Sequence, residues 1–122
     1  MVEFSVHLKE AIEGLVYVVK TEKTFQLHLM ISVPVILAAF YFGFSQTEWL
    51  ILATAISMVL AAEAFNTAIE TFTAHLIKER HTSIKLVKDI SAGAVLITVI
   101  NSIVVGLILF YPRILIFLYQ TS

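Results

Sequence analysis

The chain reads as an all-α membrane protein, with an N-terminal amphipathic surface helix followed by three transmembrane helices. Three observations predict this. First, 59% of the 122 residues are hydrophobic and only 14% are charged, whereas soluble domains are about half apolar and about a quarter charged. Second, three apolar runs are each long enough to cross a bilayer, which takes about 17–25 residues. Third, the basic residues are segregated along the chain. The length allows a single domain, residues 1–122. A net charge of -1 offers nothing to nucleic acid. The absence of cysteine excludes disulfides and thiolate metal sites.

Residues from about 3 to 20 form the first element. Phe4, Leu8, Ala11, Leu15 and Val18 recur at three- and four-residue steps, while Lys9, Glu10 and Glu13 occupy other faces. Such a helix is too charged to span and lies on the membrane surface. Charges run throughout Met1 to Lys23, so this stretch does not read as a signal peptide. The first span covers about 27–45. It contains Pro34, which membrane helices tolerate better than soluble ones. Gly43, Ser45 and Gln46 mark a turn. The second span covers about 49–77 and holds Glu63, Asn66 and Glu70. The third covers about 84–111, opening with Lys85, Lys88 and Asp89 and stopping at Pro112. Residues 114–119 then form a short apolar tail.

Lys9, Lys20 and Lys23 precede the first span, and Lys78, Arg80, Lys85 and Lys88 lie between the second and third. Only Arg113 lies on the other side. The positive-inside rule places the N-terminus in the cytoplasm and the C-terminus outside a cell membrane.

The chemistry concentrates in Glu63, Asn66 and Glu70, spaced three and four apart and so stacked on one helix face. A charge at mid-bilayer costs about 2.5–3.5 kcal/mol on insertion scales. Interhelical hydrogen bonding is one reason to keep three polar groups aligned. A polar site is the reading favoured by depth, because Glu70 lies eight residues from Lys78, or about 12 Å. Glu22, Lys23, Gln26 and His28 cluster where the surface helix meets the first span. By themselves they read as interfacial residues. Lys88 reads equally as a snorkelling lysine or a phosphate partner. Asn101, in mid-span, reads as an interhelical hydrogen-bonder. No GxxxxGK[ST] loop, kinase glycine loop or HExxH motif is present. Nucleotide chemistry here must use carboxylates, a metal and scattered cations.

The stretch Glu63-Ala-Phe-Asn-Thr-Ala-Ile-Glu70 resembles the ExxNxAIE signature of the small prokaryotic diacylglycerol kinases, a family that includes Gram-positive undecaprenol kinases. Lys88-Asp89 followed by the small run Ser91 to Ala94 resembles its second signature, and Gly14 and Glu22 fall at the expected spacing. The resemblance extends from about Leu8 to Tyr111. It implies a homotrimer that transfers phosphate from ATP, with Mg²⁺, to a membrane lipid alcohol. By the same resemblance Glu63 is the catalytic base, supported by Asn66. Glu22 and Glu70 hold the metal bound to ATP, and Lys88 and Asp89 bind the nucleotide. Gln26 stands where an arginine is common, so a cation near the site is either missing or supplied by Lys23; Gln26 and Lys23 both count as nucleotide-binding positions by this resemblance. His28 is similar to the Gram-positive branch, where the enteric branch carries an acid, and tilts the substrate toward undecaprenol over diacylglycerol. The stretch His81-Thr-Ser-Ile is less typical of the family. An ion or proton carrier, or a structural membrane subunit, is the competing class.

The orientation is directly testable because the chain lacks cysteine. In intact cells, a cysteine at Thr47 is expected to react with an impermeant maleimide, whereas one at Ser83 stays unlabelled until the cells are opened. The opposite pattern reverses the topology.

Overall fold

The computed structural model describes residues 2–77 and 82–122. Lys78, Arg80 and His81, three residues singled out above, lie outside the described residues. The described chain is helical, in the order α1 (Val2–Thr21), α2 (Lys23–Tyr41), α3 (Gln46–Leu76) and α4 (Thr82–Thr121). The last three are long and apolar enough to cross a membrane. At 1.5 Å per residue α2 reaches about 28 Å, α3 about 46 Å and α4 about 60 Å. A hydrocarbon core of about 30 Å is therefore just crossed by α2, and exceeded by α3 and α4.

One residue separates α1 from α2. Glu22 is extended (φ -98°, ψ 111°) and breaks the helix. Its N–H donates to Val18 O at 2.9 Å, closing α1, and its carbonyl accepts from Gln26 N at 3.1 Å, opening α2. Its side chain makes no cap. Gln26 does the capping instead, donating Nε2 to Val19 O at 2.8 Å and Lys20 O at 3.4 Å. These are carbonyls that the end of α1 leaves without helical partners.

The turn from α2 to α3 is built from its side chains as well as its backbone. Gly43 takes φ +67°, a left-handed conformation that costs glycine nothing. Gly43 N then donates to Phe40 O (3.2 Å) and Phe44 N to Ala39 O (3.1 Å), the Schellman pattern. Ser45 and Glu48 follow as a reciprocal capping box, with Glu48 N donating to Ser45 Oγ at 3.2 Å and Ser45 N to Glu48 Oε1 at 3.0 Å. This box starts α3 at Gln46, three residues before the sequence-based expectation.

The packed core sits at this end. Ala39, Phe44, Leu52 and Leu109 are buried against one another, flanked by Trp49, Val105 and Phe110. Arg113 locks α4 onto the turn. Its Nη1 lies 2.6 Å from Glu48 Oε2, and Nη2 donates to Glu48 Oε1 at 2.8 Å. The guanidinium also stacks 4.7 Å from the centre of the Phe44 ring. Nη1 donates further to Leu109 O at 2.8 Å, just before Pro112. α4 runs on through Pro112 to Thr121, where a stop at Pro112 was expected, since membrane helices tolerate an internal proline. Further along, Ser102 Oγ donates to Ala55 O at 3.3 Å, tying α4 to α3. Asn101, beside it, is exposed on the outer face of α4 and makes no interhelical bond within the chain.

Replacing Arg113 with leucine removes a two-point ion pair and a ring contact at once, leaving Glu48 without its partner. The variant is expected to unfold at a Tm lower by several degrees in detergent micelles, read by loss of helical circular dichroism. Arg113→Lys, which loses the fork geometry, is expected to fall between the two.

Candidate functional site

The polar residues of α3 lie toward the end opposite the aromatic core. Glu63 is only 5% exposed, and Thr67, one turn on, and Thr73, nearer the end of α3, are also buried. The threonines spend their hydroxyls within the helix: Thr67 Oγ1 donates to Glu63 O (3.0 Å) and Thr73 Oγ1 to Glu70 O (3.1 Å). They therefore sit in an apolar helix without unsatisfied hydroxyl donors. The carboxylates and the amide are arranged differently.

Asn66 Nδ2 donates to Glu70 Oε1 at 3.2 Å, as its four-residue spacing allows. That bond fixes the amide and leaves Asn66 Oδ1 buried with no hydrogen-bond partner. A buried polar atom of this kind costs about 1–3 kcal/mol if it stays unpaired. It marks a place where a donor or a cation is wanted. Glu63 meets α2 instead, with His28 Nε2 3.3 Å from Glu63 Oε1. Glu22 and Glu70 lie within electrostatic reach of Glu63. The fold thus gathers Glu22 from the α1–α2 break, His28 from α2, and Glu63, Asn66 and Glu70 from α3.

The other sequence-selected residues stand apart from this group. Lys88 and Asp89 are exposed on the first turns of α4. Asp89 pairs with Lys85, whose Nζ lies 2.6 Å from Asp89 Oδ2. Lys23 is exposed. Gln26 has its amide nitrogen committed to the end of α1. It serves the break that holds Glu22 in place, and no nucleotide contact is needed to explain it.

His28 is the residue that sequence reasoning undervalued, taking it for an interfacial side chain. It stands 35 positions from Glu63, so no helical periodicity links the two. The available hint was chemical, since a site rich in acids favours a nearby donor.

Among the described residues, no three His, Cys, Asp or Glu side chains converge to hold a metal alone. A Mg²⁺ carried in on phosphates needs less, because one or two carboxylates suffice when phosphate oxygens and water complete its octahedron. Glu22 and Glu70 are hard oxygen donors suited to that task, and the free Oδ1 of Asn66 is a third oxygen beside them.

Two apolar cavities flank α3, and one of them touches the group. The larger, of about 1010 Å³, lies between α1 and α3, is lined by Gly14, Val18, Ala64, Thr67, Ala68 and Thr71, and includes none of the group's side chains. The other, of about 360 Å³, lies among α2, α3 and α4, with His28 and Ser32 at one end and Phe110 at the other.

Three apolar helices enclosing one buried acid, with two further carboxylates within its electrostatic reach, define an integral-membrane protein with a polar site beside an apolar cavity. The sequence pattern of the prokaryotic diacylglycerol kinases matches residues 9–110, and the chain belongs to that family of membrane lipid kinases. It is 36% identical over 95 residues to an undecaprenol kinase of Bacillus subtilis, covering 77% of this chain and 76% of the relative. It is 32% identical over 111 residues to a diacylglycerol kinase of Synechocystis, covering 90% of this chain and 63% of the relative. A diacylglycerol kinase of Haemophilus influenzae is 30% identical over 104 residues, or 84% and 88% of the two chains. This membership makes the chain an enzyme and removes the carrier as a competing class.

If Gln26 acts by capping, Gln26→Ala is expected to lower helix content near the break and expose it to protease, while Gln26→Glu does the same through loss of the donor. A variant as protease-resistant as the parent would show that the cap is dispensable.

Proposed function

We propose that the chain transfers the γ-phosphoryl group of ATP to the hydroxyl of a membrane lipid alcohol, with undecaprenol preferred over diacylglycerol. The observation that carries this is the buried Glu63 carboxylate, with Glu22 and Glu70 within electrostatic reach and His28, which lines an apolar cavity, against it. Phosphoryl transfer asks for positioning and charge neutralisation more than for covalent chemistry. Glu63 accepts the hydroxyl proton as the alcohol oxygen bonds to the γ-phosphorus and the bond to ADP breaks. Glu22 and Glu70 are the residues that would hold Mg²⁺, which when bound neutralises charge on the phosphates. Asn66 is read as fixing Glu70 and offering its free oxygen to the same group. Lys88, Asp89 and Lys23 are read as nucleotide contacts supplied on the cytoplasmic face. The apolar tail is read as lying along the cavity that His28 lines among α2, α3 and α4, reached sideways from the bilayer.

The preference for undecaprenol is supported by the higher identity to a relative of that name than to the two diacylglycerol kinases. A homotrimer is supported by Asn101, an amide exposed on a lone chain at mid-span. Facing lipid it would lack any partner, and a neighbouring subunit supplies one.

Purified protein in micelles, given labelled ATP, Mg²⁺ and a panel of lipid alcohols, is expected to label undecaprenol fastest. Faster labelling of diacylglycerol reverses the preference, and no labelled lipid refutes the reading. Glu63→Gln is expected to lower kcat by about 10²–10⁴-fold with ATP binding retained. Glu70→Gln is expected to shift the Mg²⁺ titration to higher concentration; an unmoved titration would make Glu70 structural.

A further inference from the structure

Glu63 is the one buried acid among the described residues. A glutamate carboxylate turns easily about its last torsion, whose minima are broad. A base is effective only when the accepting oxygen is held in place, so something must hold this one. The nearby polar groups do not. Asn66 gives its amide to Glu70, Thr67 bonds the backbone of Glu63 rather than its carboxylate, and Gln26 is turned to the end of α1. The side chain left is His28, on the facing helix, with Nε2 3.3 Å from Oε1. The same ring lines the cavity of about 360 Å³ among α2, α3 and α4.

We propose that His28 is the positioning residue for Glu63, an inference that rests on Glu63 being the base. The imidazole donates from Nε2 to Oε1, as either the imidazolium or the neutral tautomer protonated there can do. Oε1 is thereby occupied and Oε2 is left as the accepting oxygen. The lipid hydroxyl gives its proton to Oε2, its oxygen bonds to the γ-phosphorus, ADP departs, and Glu63 later returns the proton to water. His28 keeps its own proton throughout. Its part is orientation, as the buried aspartate orients histidine in a serine-protease triad.

The test compares His28→Leu, which removes the donor, with His28→Gln, whose amide nitrogen replaces it. His28→Leu is expected to lower kcat by about 10–100-fold, the usual cost of removing a supporting hydrogen bond, with little change in KM for ATP. His28→Gln is expected to recover most of that loss. The double variant His28→Leu with Glu63→Gln is expected to be no slower than Glu63→Gln alone, because an orienting group has no effect once its target is gone. Parental kcat in His28→Leu overturns the proposal, as does a rise in KM for ATP that matches the fall in kcat. If His28→Leu fails to fold, His28→Gln decides: activity near the parent upholds the donor role, and activity at the level of Glu63→Gln overturns it. Full activity in Glu63→Gln would instead sink the assignment of the base, which separates the two failures.

Discussion

A carboxylate buried in a membrane helix constrains everything around it. Glu63 is almost wholly enclosed, where an unpartnered charge costs several kcal/mol. Its enclosure is tolerable because α2 delivers His28 to it. That delivery requires α2 to stand at a fixed height against α3. The height is set at both ends of α2, by the break at Glu22 and by the turn at Gly43. The two ends of the molecule therefore serve one purpose. The aromatic end fixes register, and the acidic end uses it.

The division of labour shows in what each end is made of. At the turn, Phe44, Trp49, Phe110 and the Arg113–Glu48 pair interlock, and nearly every polar atom named there has a partner. At the other end, Asn66 Oδ1 is left buried and unpaired, and Glu22 withholds its side chain from capping. A buried group without a partner calls for an explanation, and the proposed site supplies one, a ligand that would complete the bonding. Glu22 illustrates this economy. One residue breaks the helix, bonds into both flanking helices through its backbone, and keeps its carboxylate out of the cap.

Much of this was legible in the sequence. Long apolar runs gave three spans, and the three-and-four spacing of Glu63, Asn66 and Glu70 put them on one face, where the Asn66–Glu70 bond duly forms. Local signals at the ends were also present but were outweighed by hydropathy. Ser45-x-x-Glu48 is a capping-box pattern that places the start of α3, yet apolarity alone begins only at Trp49. Pro112 suggested a stop, yet α4 continues through it to Thr121. What could not be read were pairings between helices. His28 with Glu63 and Glu48 with Arg113 depend on packing distance, which periodicity along one chain does not encode.

The site also explains how a chain this small manages without a nucleotide-binding loop. A phosphate loop works by surrounding anions with backbone N–H groups at a helix N-terminus. Here the N-terminus of α2 follows Glu22 directly, and three carboxylates, Glu22, Glu63 and Glu70, share the site with His28 and Asn66. Bare phosphate is repelled by such a surface, whereas phosphate carrying a divalent cation is drawn to it. On the proposed reading, an acidic site of this kind selects the metal complex of the nucleotide over the free anion. The carboxylates that would repel the free nucleotide sharpen that choice, and in the same proposal Glu63 is left over to take the proton.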